Sequence, residues 1–313
     1  MAFTGKLSLS SKAKLSDGNL IPRLGLGVYE MSDQEASPAV TWALEAGYRH
    51  FDCAEWYYNE ASVGSSITQF LSRPGCPIDR SDIFYCSKLQ SNNGYESAKR
   101  SIEASLKKCG LGYIDLYLIH SPYGGKKRRW QSWKAIEEAK DKGLIKSVAV
   151  SNYGERHIRE LLESKPKHRP TVNQCDLHPF MARKELVEYC ESEGILLECW
   201  GPLVRAERFH HPAIMELAKK HSVTSAQVLM CFDNSLWSQS LVLTASLRPG
   251  RSPNRFPNNV SSRTPTFMAS SWTIKTWTSY SALTNTWSPI GTQLATLLLD
   301  RRMCAIVQGI VQH

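Results

Sequence analysis

The chain has 313 residues, a formal net charge of +9, 42% hydrophobic residues and nine cysteines. That is enough apolar material for one large core, and single α/β domains commonly run to ~250 residues. No apolar run reaches the ~18 residues of a membrane span, and the opening MAFTGKLSLSSKAKLSDG lacks a signal peptide's apolar stretch. The cysteines include no CxxC pair, so a cytoplasmic protein with reduced thiols is expected. The charge does not point to nucleic acid. Residues 235–313 hold seven Arg or Lys against one Asp, a net of +6, which leaves +3 for the 234 residues before them. No basic helical stripe or base-stacking motif accompanies the excess, and neither a nucleic-acid nor a membrane partner is expected.

In chain order, LSLSSKAKLSDGNLIPRLG (residues 7–25) reads as a β-hairpin turning near Asp17 and Gly18. Strands are then predicted over residues 24–28, 50–53, 83–88, 114–120, 147–151, 171–174 and 196–200. Between and after them, apolar residues at helical spacing predict helices such as 38–46, 96–109, 130–142, 155–164, 184–193 and 212–221. Strands alternating with helices imply parallel pairing through right-handed crossovers. Seven such units approach the eight of a (β/α)8 TIM barrel, with the hairpin as a lid on its floor. Up to about residue 234 the pattern holds as one barrel domain; residues 235–313 form a second, dissimilar segment.

Barrel enzymes carry their chemistry at the C-terminal ends of the strands. Asp52, Lys88, His120, Ser151, Gln174 and Trp200 all fall at or near those ends, and Tyr57 follows Asp52 closely. Singly, each has an ordinary explanation: a strand-end Asp caps a helix, a Lys is solvated and a His is packed in a core. Together, a carboxylate, a phenol, an amine and an imidazole converging on one mouth make a proton-donating group built around a tyrosine. Gly25-Leu26-Gly27 is no Rossmann fingerprint, since neither a third glycine nor a helix start follows.

The motifs GYRHFDCAEWYYNE, IFYCSK, LYLIHSP, VAVSNY, VNQCDLHP and CWGPL, in this order, resemble the aldo-keto reductase family over residues 14–234, its fungal members in particular. The resemblance implies a monomeric, NADPH-dependent enzyme that reduces a small-molecule aldehyde or ketone, with no metal, in secondary metabolism as some fungal members do. It assigns Tyr57 as proton donor, Lys88 as the cation that lowers its pKa, Asp52 as the anchor of Lys88, and His120 as the group that orients the carbonyl. Tyr58 competes with Tyr57, and the family's Tyr-x-Asn-Glu spacing selects Tyr57; a small residue is usual where Tyr58 stands. For the cofactor it assigns Ser151, Asn152 and Gln174 to the carboxamide, Trp200 to stacking on the nicotinamide, and Gly27, Val28, Asp52, Pro202 and Leu203 to the surrounding face. Tyr29, Trp56, His120 and Tyr123 are implied on the substrate side.

After residue 234 the pattern collapses. Of the last 79 residues 22 are Ser or Thr and only Asp300 is acidic, where the family supplies an eighth strand, a phosphate loop and an adenosine-binding helix. Back-translation with free choice of synonymous codons, each codon begun at its third base, turns residues 235–242 into SVVPIPGS and residues 259–272 into RLIQNADVYGFELD. Both strings are family-like, so the segment reads as the family's C-terminus in a shifted frame. An eighth strand that is abnormal or missing, poor order beyond about residue 245 and weakened dinucleotide binding are expected. The alternative is a catalytically impaired pseudo-enzyme or binding subunit on the same barrel.

Overall fold

A computed structural model describes residues 9–236 and 241–245 of the chain. The hairpin is present as β1 (Lys12–Lys14) and β2 (Leu20–Pro22), paired antiparallel. Its turn needs Gly18, whose φ of +94° is one that side chains rarely adopt. The body then runs β3 (Leu24–Gly27), α1 (Asp33–Glu45), β4 (His50–Asp52), α2 (Glu60–Leu71), β5 (Phe84–Leu89), α3 (Tyr95–Cys109), β6 (Ile114–Ile119) and α4 (Lys126–Asp141). It continues through β7 (Ile145–Ser151), α5 (Glu155–Glu163), β8 (Val172–Asp176), α6 (Lys184–Ser192), β9 (Leu196–Trp200), α7 (Pro212–His221), α8 (Ser225–Leu236) and β10 (Leu241–Ala245). Strands β3 to β10 close into one parallel barrel.

The eighth slot is filled. β10 pairs with β3 through Val242 opposite Leu24 and Ala245 opposite Gly27, and with β9 through Leu241 opposite Glu198. The strand is abnormal in sequence rather than missing: LVLTA is short, apolar and β-branched enough to satisfy the backbone groups that two open edges would otherwise expose. The helix α8 runs through residues 235–236, where the shifted frame would start its strand. The expected poor order beyond residue 245 lies outside the described residues.

Side chains alternate across each strand with a period of two, and this alternation sorts the core. Phe51, Tyr85, Tyr117, Leu197 and Cys199 point outward into the layer shared with the helices. Phe84, Cys86, Leu116, Leu118, Val172 and Leu196 point into the barrel, where Ala13, Leu15 and Ile21 of the hairpin plug its floor. One step further along the same inward columns come Asp52, Lys88, Gln174 and Glu198. The interior is therefore apolar below and polar above.

Besides α8 and β10, which the predicted set lacks, α1 and α2 differ from it. α1 starts at Asp33 rather than residue 38, because Ser32 and Glu35 form a capping pair: the Ser32 N–H and Oγ donate to Glu35 Oε2 at 2.9 and 2.7 Å. Pro38 sits inside the helix instead of starting it. α2 is absent from the prediction since EASVGSSITQFL is rich in poor helix formers. It is held by packing: a Cβ added at Gly64 would lie 1.9 Å from the Cys109 carbonyl oxygen, so only glycine lets α2 approach the end of α3 this closely.

Candidate active site

β4 ends on Asp52, and a single tight helical turn, Glu55–Tyr57, carries the next residues over the barrel mouth. Tyr58 stops that turn in the left-handed region, at a φ of 58°. This is where a residue without a side chain is cheapest, by about 1–2 kcal/mol. Asn59 then locks the loop: its Nδ2 donates to the carbonyls of Val28 (3.0 Å) and Met31 (2.9 Å), while its Oδ1 accepts from Cys53 Sγ (3.1 Å). Buried Glu60 accepts from Ser87 Oγ at 2.6 Å and ties the start of α2 to β5. The Asn-Glu half of the motif therefore holds Tyr57 in place.

Lys88 is fully buried at the centre. Its Nζ lies 2.7 Å from each Asp52 carboxylate oxygen, 2.9 Å from the Cys53 carbonyl and 3.2 Å from the Tyr57 hydroxyl. The ammonium has no lone pair, so the phenol oxygen accepts from Lys88, and the phenol's own hydrogen is left to point elsewhere. Burial opposes the Lys88 charge, but Asp52 and then Tyr57 outweigh it and hold the ammonium above the ordinary lysine range. Lys88 lowers the Tyr57 pKa, as expected of a neighbouring cation, but against a larger opposing effect. Burial pushes the phenol above its ordinary value, and Lys88 offsets only part of the rise. Burial, followed by the Lys88 charge, pushes the His120 imidazole down to about 3, so it is neutral at working pH. Its ring stands edge-on to Tyr57 at 5.6 Å and to Trp56 at 5.9 Å, and its Nδ1 is buried without a hydrogen-bond partner among the described residues.

The implied cofactor face is continuous with this cluster. Ser151 Oγ donates to the Gln174 carbonyl at 2.9 Å. Asn152, left-handed at φ 60°, donates from Nδ2 to the His120 carbonyl (3.0 Å) and to Ser151 Oγ (3.1 Å). Trp200 Nε1 donates to Asn152 Oδ1 at 3.1 Å, fixing an indole that is only partly buried. A nicotinamide presents a flat ring and a carboxamide; an anchored indole beside amide and hydroxyl groups suits both. Gly27 ends β3, and the Val28 N–H bonds the Asp52 carbonyl at 3.1 Å. Asp52 itself is spent on Lys88 and Gln174. Pro202 is buried, and the Leu203 side chain packs into a separate apolar cluster with Ile214 and Leu217, leaving its main chain as the part available to a cofactor.

On the substrate side, Tyr29 lies 5.1 Å ring to ring from Tyr57 and Trp56 is 56% exposed above His120. Tyr123 makes none of these ring contacts. It is 81% exposed, with its carbonyl held by Asn92 Nδ2 at 2.8 Å.

Two buried residues escaped the sequence reading. Glu198 Oε2 accepts from Gln174 Nε2 at 2.7 Å, and Glu198 Oε1 lies 3.4 Å from His50 Nε2. A carboxylate and an imidazole on inward positions of otherwise apolar strands were the available signal. Burial, followed by Asp52, raises the Glu198 pKa to about 8, and burial lowers His50 to about 4. The two shifts act oppositely on stability. Glu198 binds its proton more tightly when folded, so its contribution is complete below the unfolded carboxylate value and is lost as pH rises through 8. His50 and His120 resist protonation when folded, so the stability they confer above about 6.5 is lost as pH falls. Thermal stability should peak near pH 6–7 and drop by about 2 kcal/mol between pH 6.5 and 8. Glu198→Gln should flatten that alkaline limb in a pH series of melting curves, and an unchanged limb would discard the Glu198 assignment.

A parallel barrel with a buried lysine–carboxylate pair against a tyrosine and a neutral histidine at its mouth is an oxidoreductase scaffold. The model of the Aldo/keto reductase family matches residues 23–232, and the chain belongs to that family. Among curated proteins it is 42% identical over 243 residues to an uncharacterized oxidoreductase of Schizosaccharomyces pombe, covering 78% of this chain and 86% of that one. It is 36% identical over 228 residues to a glyoxal reductase of Bacillus subtilis, covering 72% and 79%. A solved aldo/keto reductase from Brucella melitensis superposes with a TM-score of 0.69 at 38% identity, over 76% of this chain and 89% of that chain. Cys53, Cys76, Cys86, Cys109, Cys175, Cys190 and Cys199 form no disulfide, and no helix among the described residues is long and apolar enough to cross a membrane.

Proposed function

We propose that this chain is a monomeric cytoplasmic reductase that converts a small aldehyde or ketone to the alcohol with NADPH, Tyr57 giving the proton. The single observation that carries the reading is the buried Lys88 Nζ shared among Asp52, the Cys53 carbonyl and the Tyr57 hydroxyl. The bound cofactor supplies a hydride to the carbonyl carbon. Tyr57 supplies the proton to the carbonyl oxygen, and Lys88 stabilises the phenolate left behind. Neutral His120 donates a hydrogen bond to the same oxygen and fixes the approach of the carbonyl. Ser151, Asn152 and Gln174 hold the carboxamide, and Trp200 supports the ring. Tyr29 and Trp56 wall the substrate, with Tyr123 on the outer rim. A fungal type of sequence is consistent with a place in secondary metabolism.

Incubation with NADPH and a nitrobenzaldehyde tests this: absorbance of the reduced cofactor should fall in proportion to alcohol formed, and NADH should serve less well. One finding favours a second reading, the impaired barrel: the family model ends at residue 232, just before the dissimilar segment. No turnover, with cofactor bound weakly or not at all, would decide for that reading.

A further inference from the structure

Glu198 is fully buried, lies one strand away from Gln174 in the barrel, and touches none of the reacting groups. The Gln174 carboxamide carries two hydrogens on Nε2, one directed at Asp52 Oδ1 (2.9 Å) and one at Glu198 Oε2 (2.7 Å). A carboxamide is nearly symmetric in shape, and only its partners decide which end faces which way. Turned over, Gln174 would set its oxygen against two carboxyl oxygens.

We infer that Glu198 is a positioning residue that, together with Asp52, grips the Gln174 amino group and so presents Gln174 Oε1 to the nicotinamide carboxamide. This rests on the proposed cofactor reading. His50 lies beneath the grip. The Pro22 carbonyl, 3.2 Å from His50 Nδ1, can only accept, so Nδ1 carries the ring hydrogen and Nε2 keeps its lone pair. That lone pair faces Glu198 Oε1 at 3.4 Å and the Cys86 thiol at 3.2 Å. Glu198 Oε1 makes no hydrogen bond among the described residues, whereas Oε2 is the acceptor for Gln174. Asp52, fixed by Lys88, accepts the other hydrogen.

The test uses the full chain. In apo protein labelled with 15N-glutamine, both Gln174 side-chain hydrogens should be protected from exchange with water. Protection of one should be lost in Glu198→Leu and kept in Glu198→Gln, whose amide can both accept from Gln174 and donate to His50. Fast exchange of both in the parent overturns the grip, with no variant and no cofactor needed. By fluorescence quenching, Glu198→Leu and Gln174→Leu should each weaken NADPH binding about tenfold, with Glu198→Gln within about threefold of the parent. The double variant should be no more than about twofold worse than Gln174→Leu alone. A full extra tenfold loss in the double variant means that Glu198 does not act through Gln174, and overturns the inference. Unchanged binding by Gln174→Leu instead removes the cofactor role of Gln174, a failure of the underlying reading, while proton exchange still judges the grip. Should Glu198→Leu not fold, parent exchange and Glu198→Gln decide.

Discussion

Tyr57→Phe is expected to lower kcat/KM for an aldehyde by about 10²–10⁴ while leaving NADPH affinity within about twofold. The substitution deletes one oxygen. The ring contacts to Tyr29 and His120 at 5.1 and 5.6 Å are kept, and Lys88 retains both Asp52 oxygens and the Cys53 carbonyl. No uncompensated charge is created, so the fold should survive. No neighbour can replace the lost acid. His120 is neutral, its imidazolium being disfavoured down to about pH 3. Lys88 is held above the ordinary lysine range and gives up its proton reluctantly. A Tyr57→Phe protein that turns over within threefold of the parent, with unchanged circular dichroism, would remove Tyr57 from the chemistry.

The strands were legible because parallel barrel strands are short apolar runs separated by long amphipathic segments, and seven of eight carry that signature. The site was legible for a related reason: Asp52, Lys88, His120 and Gln174 stand where an apolar inward column turns polar at a strand's end. What was not legible depended on contacts across the fold. α2 has poor intrinsic helicity and exists because Gly64 fits against the end of α3. The Tyr57 pKa could not be read from a lysine in the sequence, since burial and the nearby cation pull in opposite directions and only the structure weighs them. Glu198 and His50 looked like isolated polar residues until the barrel closed and placed them 3.4 Å apart. β10 is the inverse case: five residues with no family pattern occupy the eighth slot because the two flanking strand edges accept any extended apolar segment of the right length.

Adding one nucleotide at codon 235, which converts residues 235–313 to the shifted frame, is expected to tighten NADPH binding by about a hundredfold or more and raise turnover with it. The gain comes from contacts that the present chain lacks. The described half of the site offers the nicotinamide an indole, an amide pair and a hydroxyl, but the segment that carries phosphate and adenosine contacts in the family reads here as Ser, Thr and Pro with scattered arginines. The alternative frame restores SVVPIPGS and a helix containing one Arg and one Asn. Two charge-assisted hydrogen bonds to phosphate at about 1.5–3 kcal/mol each account for a gain of that size. The strand in the eighth slot would also change. The present one pairs through Leu241–Ala245, after a helix that runs to Leu236, whereas the restored frame begins its strand at residue 235. Closure by a strand matched to the barrel should raise the melting temperature as well. Titration of both proteins with NADPH, followed by protein fluorescence, gives the comparison directly. Equal affinities within threefold would mean that residues 235–313 as written already hold the dinucleotide, and the frame argument would fall while the tyrosine-centred chemistry at the other end of the cofactor stood untouched.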